Sequence, residues 1–181
     1  MAKSKSPMSA ERIEVGLEAK NREGIVATLN QLLADESVLY IKTRNYHWNV
    51  TGPRFHDLHE FFQQQYEKLE ELIDEIAENA RQFGGFAVGT MSEFTALARL
   101  KEEPGIVPTE DGMIANLLTD HEAIIRELRP AIAKTDEEYD APDAADFLTA
   151  VMQAHNKMAW MLRAFLPAPG NLNQSGTGNH S

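Results

Sequence analysis

Four side chains have the types and spacing to hold a transition-metal ion: His47, His59, Asp74 and Glu78. Imidazole nitrogen with carboxylate oxygen is a ligand set for iron, zinc or manganese. It lacks the soft thiolates that select Cu(I). Asp74 and Glu78 stand at i, i+4, so on a helix they project side by side. His47 lies in Asn45-Tyr46-His47-Trp48-Asn49, just before the break Thr51-Gly52-Pro53, and His59 lies just after it. A helix hairpin through that break brings both imidazoles to one end of the fold. His59 and Asp74 are fifteen residues apart, which on one continuous helix is about 22 Å. One ion cannot span that distance. If all four residues serve one site, the histidines of one subunit must meet the carboxylates of another.

Taken singly, each residue has an ordinary explanation. Two acids one turn apart on an acidic helix usually form a solvated face. A histidine at a helix end is more often a cap or a surface group than a ligand. His121 and His155 fall on apolar stripes and read as packing histidines; His56 reads as an exposed neighbour of the hairpin. His180 belongs to the C-terminal tail. Trp48 and Trp160 read most simply as core aromatics.

The elements that must position these groups read as helix almost throughout. From Glu23 to about Val50, Leu29, Leu32, Leu33, Leu39, Tyr40 and Tyr46 recur at helical spacing. A second helix from near Arg54 carries Phe55, Leu58, Phe62, Tyr66, Leu69, Ile73, Ile76, Ala80 and Phe83, and Gly84-Gly85 ends it. With Phe62 at the centre of that stripe, Asp74 and Glu78 point out of the bundle and His59 sits at its edge. A short helix is expected over Ser92 to Leu100, with Ser92 as cap and Pro104-Gly105 as breaker. A third long helix runs from about Glu110 to Lys134 with Thr109 as cap, and Pro130 is a candidate kink. The fourth runs from Pro142, well placed at a first turn, to about Leu166. No segment alternates with period two for long enough to form a strand. The pattern predicts an all-α four-helix bundle with a short extra helix in the connection between the second and third long helices. It predicts a flexible arm over 1–20, the bundle over 21–166 and a disordered tail over 167–181, which holds two prolines, three glycines and no Asp, Glu, Lys or Arg.

Composition limits the chemistry further. With 181 residues the chain can build a full core without staples. Cysteine is absent, which excludes disulfides, zinc–thiolate sites and thiol nucleophiles. No apolar run approaches a membrane span, and the first residues lack the apolar core of a secretory signal. The cytoplasm is the expected location. The net charge is −11, which argues against a broad basic surface for nucleic acid and suits cation binding.

The segment from Asn45 to Gly85 reads NYHWNVTGPRFHDLHEFFQQQYEKLEELIDEIAENARQFGG. Its elements HWN, G-x-x-F-x-x-x-H, D-x-x-x-E and A-x-x-x-G-G resemble the signature region of the Dps proteins, the mini-ferritins named as DNA-binding proteins from starved cells. The similarity extends from about Glu23 to Leu166 and includes ADFLTA at 145–150 and the WMLRAFL ending. The resemblance implies a ferritin-like subunit and a dodecameric homo-oligomeric shell with ferroxidase sites at two-fold interfaces. By motif match His47 and His59 come from one subunit, and Asp74 and Glu78 from its partner. It implies iron as the metal, hydrogen peroxide as oxidant and ferric mineral as product, with zinc or manganese as competitors.

The resemblance has one departure. The family often places an aspartate four residues after the second histidine, where this chain has Gln63. A neutral amide is a poorer ligand for a second cation. Trp48, beside a ligand, is a candidate radical trap, with Tyr46 a weaker one. Asp146 matches a pore aspartate of the family's three-fold channel, and Asp143 is its neighbour; both also suit a helix first turn. Family members that bind DNA often use lysine-rich tails. Here only Lys3 and Lys5 precede Arg12, and 167–181 has no basic side chain. The expectation is a peroxide-consuming ferroxidase with weak or absent DNA binding. The alternatives are a nucleoid-compacting shell and an inert helical oligomer.

Overall fold

The computed structural model describes Met8, Ser9 and residues 12–166. It contains α1 (Ala19–Asn49), α2 (Phe55–Gln82), α3 (Met91–Leu97), α4 (Glu110–Glu137) and α5 (Pro142–Phe165). Among the described residues the β pairing amounts to one isolated bridge, Met8 with Gly85. The chain is all-α. The 167–181 tail, with His180, lies outside the described residues, as does part of the 1–20 arm.

Cross-helix contacts give the helix directions. His47 near the end of α1 stacks on His59 near the start of α2, so these helices are antiparallel. Arg54 before α2 binds Glu110 at the start of α4, so α2 and α4 run the same way. Phe61 of α2 meets Phe165 of α5, 4.8 Å between centroids, so α5 runs antiparallel to α2 and parallel to α1. The short hairpins α1–α2 and α4–α5 are therefore joined by a long crossover between parallel helices.

That crossover is held by a buried acid. Asp35 of α1 accepts from the backbone N–H of Arg99 (2.6 Å) and of Leu100 (3.2 Å), and pairs with the Arg99 guanidinium. Here the expected short helix is corrected. It stops at Leu97 rather than Leu100, because Ala98 is extended and the next two amides go to Asp35 instead of an α-helical carbonyl. Its cap is Thr90 rather than Ser92: Thr90 accepts from the Glu93 N–H while the Glu93 carboxylate accepts from the Thr90 N–H, a reciprocal capping box. Thr109 caps α4 as its position predicts, and α4 continues through Pro130 to Glu137.

The α1–α2 turn depends on Gly52. Its φ is +132°, and a β-carbon there would lie 2.7 Å from the Glu110 carboxyl, itself anchored by Arg54. Gly52→Ala should therefore cost about 1–3 kcal/mol of subunit stability, read as a lower urea midpoint at unchanged slope.

The core holds Leu29, Leu33, Leu39, Leu58, Phe62, Leu69, Ile76, Ile114, Leu117 and Leu162. Two aromatic expectations are corrected. Trp48 is 61% exposed and Trp160 62% exposed. Each follows a buried residue, His47 or Ala159, and one further residue turns about 100° around a helix, away from the core. Phe55 is also exposed; at the first residue of α2 it stacks on His59 instead of entering the core.

His121 and His155 are fully buried, as their positions on apolar stripes predict. They are joined by a 2.8 Å hydrogen bond between their Nδ1 atoms, and His155 Nε2 lies 2.6 Å from Oε1 of Glu36. Glu36 is fully buried too. Burial, with the charge of His155 adding to it, holds His121 well below the usual histidine range. The chain of bonds leaves Glu36 Oε2 and His121 Nε2 without partners.

Candidate metal centre

The two histidines are placed by the hairpin. His47 occupies the last turn of α1 and is buried; His59 lies in the second turn of α2 and is half-buried. Their rings stack at 3.8 Å with 21° between planes. His47 Nδ1 lies 2.8 Å from the backbone oxygen of His59, and His59 Nδ1 lies 2.8 Å from the backbone oxygen of His47. A carbonyl can only accept, so each Nδ1 carries the proton. In the neutral ring this leaves each Nε2 with a free lone pair, and no bond to either Nε2 is present among the described residues. Two imidazoles are thus locked in the tautomer that ligates a metal through Nε2. Phe55 closes one side of the stack, 5.1 Å from His59, and Tyr66 meets His47 edge-on at 5.3 Å.

Asp74 and Glu78 lie farther along the same continuous helix and are exposed. They face away from the core, as their angle from the Phe62 stripe predicts. One subunit does not bring them to the histidines: among the described residues no group of three or more ligand-type side chains could hold a metal. Within one chain the histidine pair at the α1–α2 turn and the acid pair farther along α2 stay apart.

Gln63, one turn after His59, donates from Nε2 to Glu67 at 2.8 Å. Its amide nitrogen is occupied, and its neutral carbonyl oxygen is the atom left for a cation. Tyr46 points into the bundle instead of toward the histidines: it is buried, and its hydroxyl accepts from Asn116 at 3.0 Å. The Arg44 guanidinium lies over the Trp48 ring, 5.1 Å from its centroid. Asp143 and Asp146 are exposed in the first two turns of α5, at the opposite end of the bundle from the histidine pair.

Sequence reasoning missed two features around these groups. Arg44 also lies 5.5 Å from the Tyr40 ring and 5.3 Å from the Tyr66 ring. Their spacing on two helices is readable, but both tyrosines sit on apolar stripes and pass for core. Glu36 was hidden in the same way, as one more acid on α1.

A family model of the ferritin-like domain matches residues 26–168. The chain is 48% identical over 155 residues to a low temperature-induced protein of Nostoc, covering 86% of this chain and 87% of that protein. It is 37% identical to DNA protection during starvation protein 2 of Bacillus anthracis, over 78% of this chain and 96% of that one. Its fold superposes on the Dps protein of Vibrio cholerae, described as a member of a broad superfamily of ferritin-like diiron-carboxylate proteins, with a TM-score of 0.80. That match has 26% identity and covers 88% and 99% of the two chains. The chain belongs to the Dps proteins of the ferritin-like family.

Proposed function

We propose that this protein is a Dps-type mini-ferritin that oxidises Fe(II), preferentially with hydrogen peroxide, and stores the ferric product as mineral inside a dodecameric shell in the cytoplasm. The observation that carries the reading is the reciprocal histidine lock. Imidazoles with both Nδ1 protons committed to backbone carbonyls are preset to give Nε2 to a metal. Iron is substrate and cargo here, not a resident cofactor.

His47 and His59 of one subunit bind Fe(II) together with the Asp74 and Glu78 carboxylates of a second copy. This division answers the 22 Å problem, because each subunit then supplies half of two sites related by a two-fold axis. Peroxide takes an open coordination position and accepts two electrons from two ferrous ions, with two protons, yielding water rather than hydroxyl radical. Gln63 supplies a neutral oxygen where a carboxylate would add charge, so the second ion is held less tightly. Zinc and manganese suit the same donors and compete. Asp146, with Asp143 beside it, lines the entry route for Fe(II) in this reading, and Trp48 intercepts stray oxidising equivalents.

The test is an anaerobic Fe(II) load followed by peroxide, with ferric absorbance recorded over time. Fast oxidation at about one peroxide per two irons and a soluble ferric product is expected. Oxidation no faster than buffer, or a ferric precipitate, defeats the reading. The name of the Bacillus anthracis relative raises DNA as a second ligand. A net charge of −11 opposes it. A gel-shift series in salt should show at most weak retention, vanishing as salt screens the outnumbered basic residues.

A further inference from the structure

We infer that Tyr66 and Tyr40 form a relay that supplies one electron to the candidate iron site and later recovers it from a second ferrous ion. The inference rests on the iron-oxidising reading above and adds residues that the reading does not use. The Tyr66 ring meets His47 edge-on, 5.3 Å between centroids. The Tyr40 ring meets Tyr66 at 6.2 Å, again edge-on. Oxidisable rings are therefore in contact from the ligand outward.

The need for such a relay follows from Gln63. A weakly held second ion means that peroxide often meets a site with one Fe(II). One ferrous ion gives one electron, and peroxide needs two to become water. A phenol beside the ligand can supply the other. Fe(II), hydrogen peroxide, Tyr66–OH and one proton then give Fe(III), two waters and the neutral Tyr66 phenoxyl. Tyr40 reduces Tyr66 by passing an electron through their ring contact, losing its own proton toward solvent while Tyr66 takes one up from water. The Tyr40 phenoxyl returns to phenol by taking one electron from the next Fe(II) and one proton from water. The sum is one peroxide for two irons, even when the ions arrive singly.

Arg44 favours the tyrosines over Trp48 as the route for the second electron, which leaves Trp48 only the equivalents that escape the relay. Its guanidinium lies 5.1 to 5.5 Å from the rings of Trp48, Tyr66 and Tyr40, and donates to the Tyr40 hydroxyl at 2.8 Å. A fixed positive charge against a ring opposes any oxidised form that is itself a cation. Indole first loses an electron to give a cation, whereas a phenol that sheds its proton gives a neutral radical. Tyr40 also lines a cavity of about 260 Å³ with Glu70 and Glu102, carboxylates able to carry that proton to solvent. Tyr66 and Tyr40 are relay residues: neither is proposed to touch the iron.

The test uses the full-length assembled protein, loaded anaerobically with one Fe(II) per subunit, mixed with peroxide and freeze-quenched for EPR. A spin trap for hydroxyl radical is added in parallel. The wild type should give a tyrosyl signal and little trapped radical. Tyr66→Phe should lose the signal and raise the trapped radical above background while still binding Fe(II). Tyr40→Phe should keep a tyrosyl signal that decays more slowly when further Fe(II) is added. Oxidation in the wild type without a tyrosyl signal overturns the relay alone. So does a signal that survives in Tyr66→Phe and disappears in Trp48→Phe. A wild type that does not oxidise Fe(II) with peroxide overturns the iron reading and the relay together.

Discussion

Asp74→Ala with Glu78→Ala should slow peroxide-driven Fe(II) oxidation on the order of 100-fold and leave the subunit folded. Loss of outer-shell partners alone costs metal sites about 10–100-fold, and these are proposed ligands. Both side chains are exposed and take part in no hydrogen bond or ion pair shown in the structure. Their removal should therefore change stability by no more than about 0.5 kcal/mol each. Stopped-flow absorbance gives the rate, and circular dichroism the fold. A complementation experiment tests the sharing of the site. Subunits carrying His47→Ala and His59→Ala are inactive alone, as are those carrying the acid double substitution. Co-refolded at equal amounts, half of all two-fold interfaces are mixed, and each mixed interface has one complete site. About a quarter of wild-type activity should return. No recovery would mean that the four residues do not meet across an interface.

Glu36→Ala should destabilise the subunit by about 3–5 kcal/mol, whereas replacing Glu36, His121 and His155 together by leucine should be close to neutral. The single change removes the acceptor of His155 Nε2 and leaves a polar chain stranded in the core. The triple change removes every desolvated group at once, including the two atoms that lack partners. Urea unfolding at fixed protein concentration checks both. The pH dependence separates this cause from simple packing loss. Folded His121 resists the proton that the unfolded chain accepts at the ordinary value of 6.5. The unfolded state therefore binds more protons below that value, and stability falls as pH drops from about 6.5 toward the depressed folded value. The slope approaches about 1.4 kcal/mol per pH unit for one proton. The triple variant should lose this component, and a slope unchanged in it would place the acid sensitivity elsewhere.

These two experiments divide what the sequence makes legible from what it hides. Apolar residues at 3–4 spacing placed four long helices within a few residues of their ends, because one-sided burial of a long helix leaves a periodic trace. Thr109 and Pro142 were readable because a helix start has its own chemistry. The end of α3 was not, since a carboxylate distant in sequence, Asp35, takes the amides that would have continued it. Trp48, Trp160 and Phe55 were misread for another reason. Large aromatics default to the core, and only the angle to a buried neighbour shows that they turn outward. His47 and His59 could be brought together by the Thr51-Gly52-Pro53 break. Their reciprocal Nδ1 bonds depend on backbone oxygens that the sequence does not place. Glu36 was invisible because charge on α1 predicts exposure, and a partner on α5 reverses that.

The directions of α1 and α5 bear on how the protein is handled. Phe165, at the end of α5, packs on Phe61, two residues from His59. Ala19, at the start of α1, lies at the opposite pole, about 46 Å away by the length of a 31-residue helix. A probe attached beside Phe165 would sit at the pole that carries the locked pair, and one attached beside Ala19 would sit at the other. Because the chain has no cysteine, a single engineered thiol at either pole would accept one dye without background, so the two poles can be watched separately.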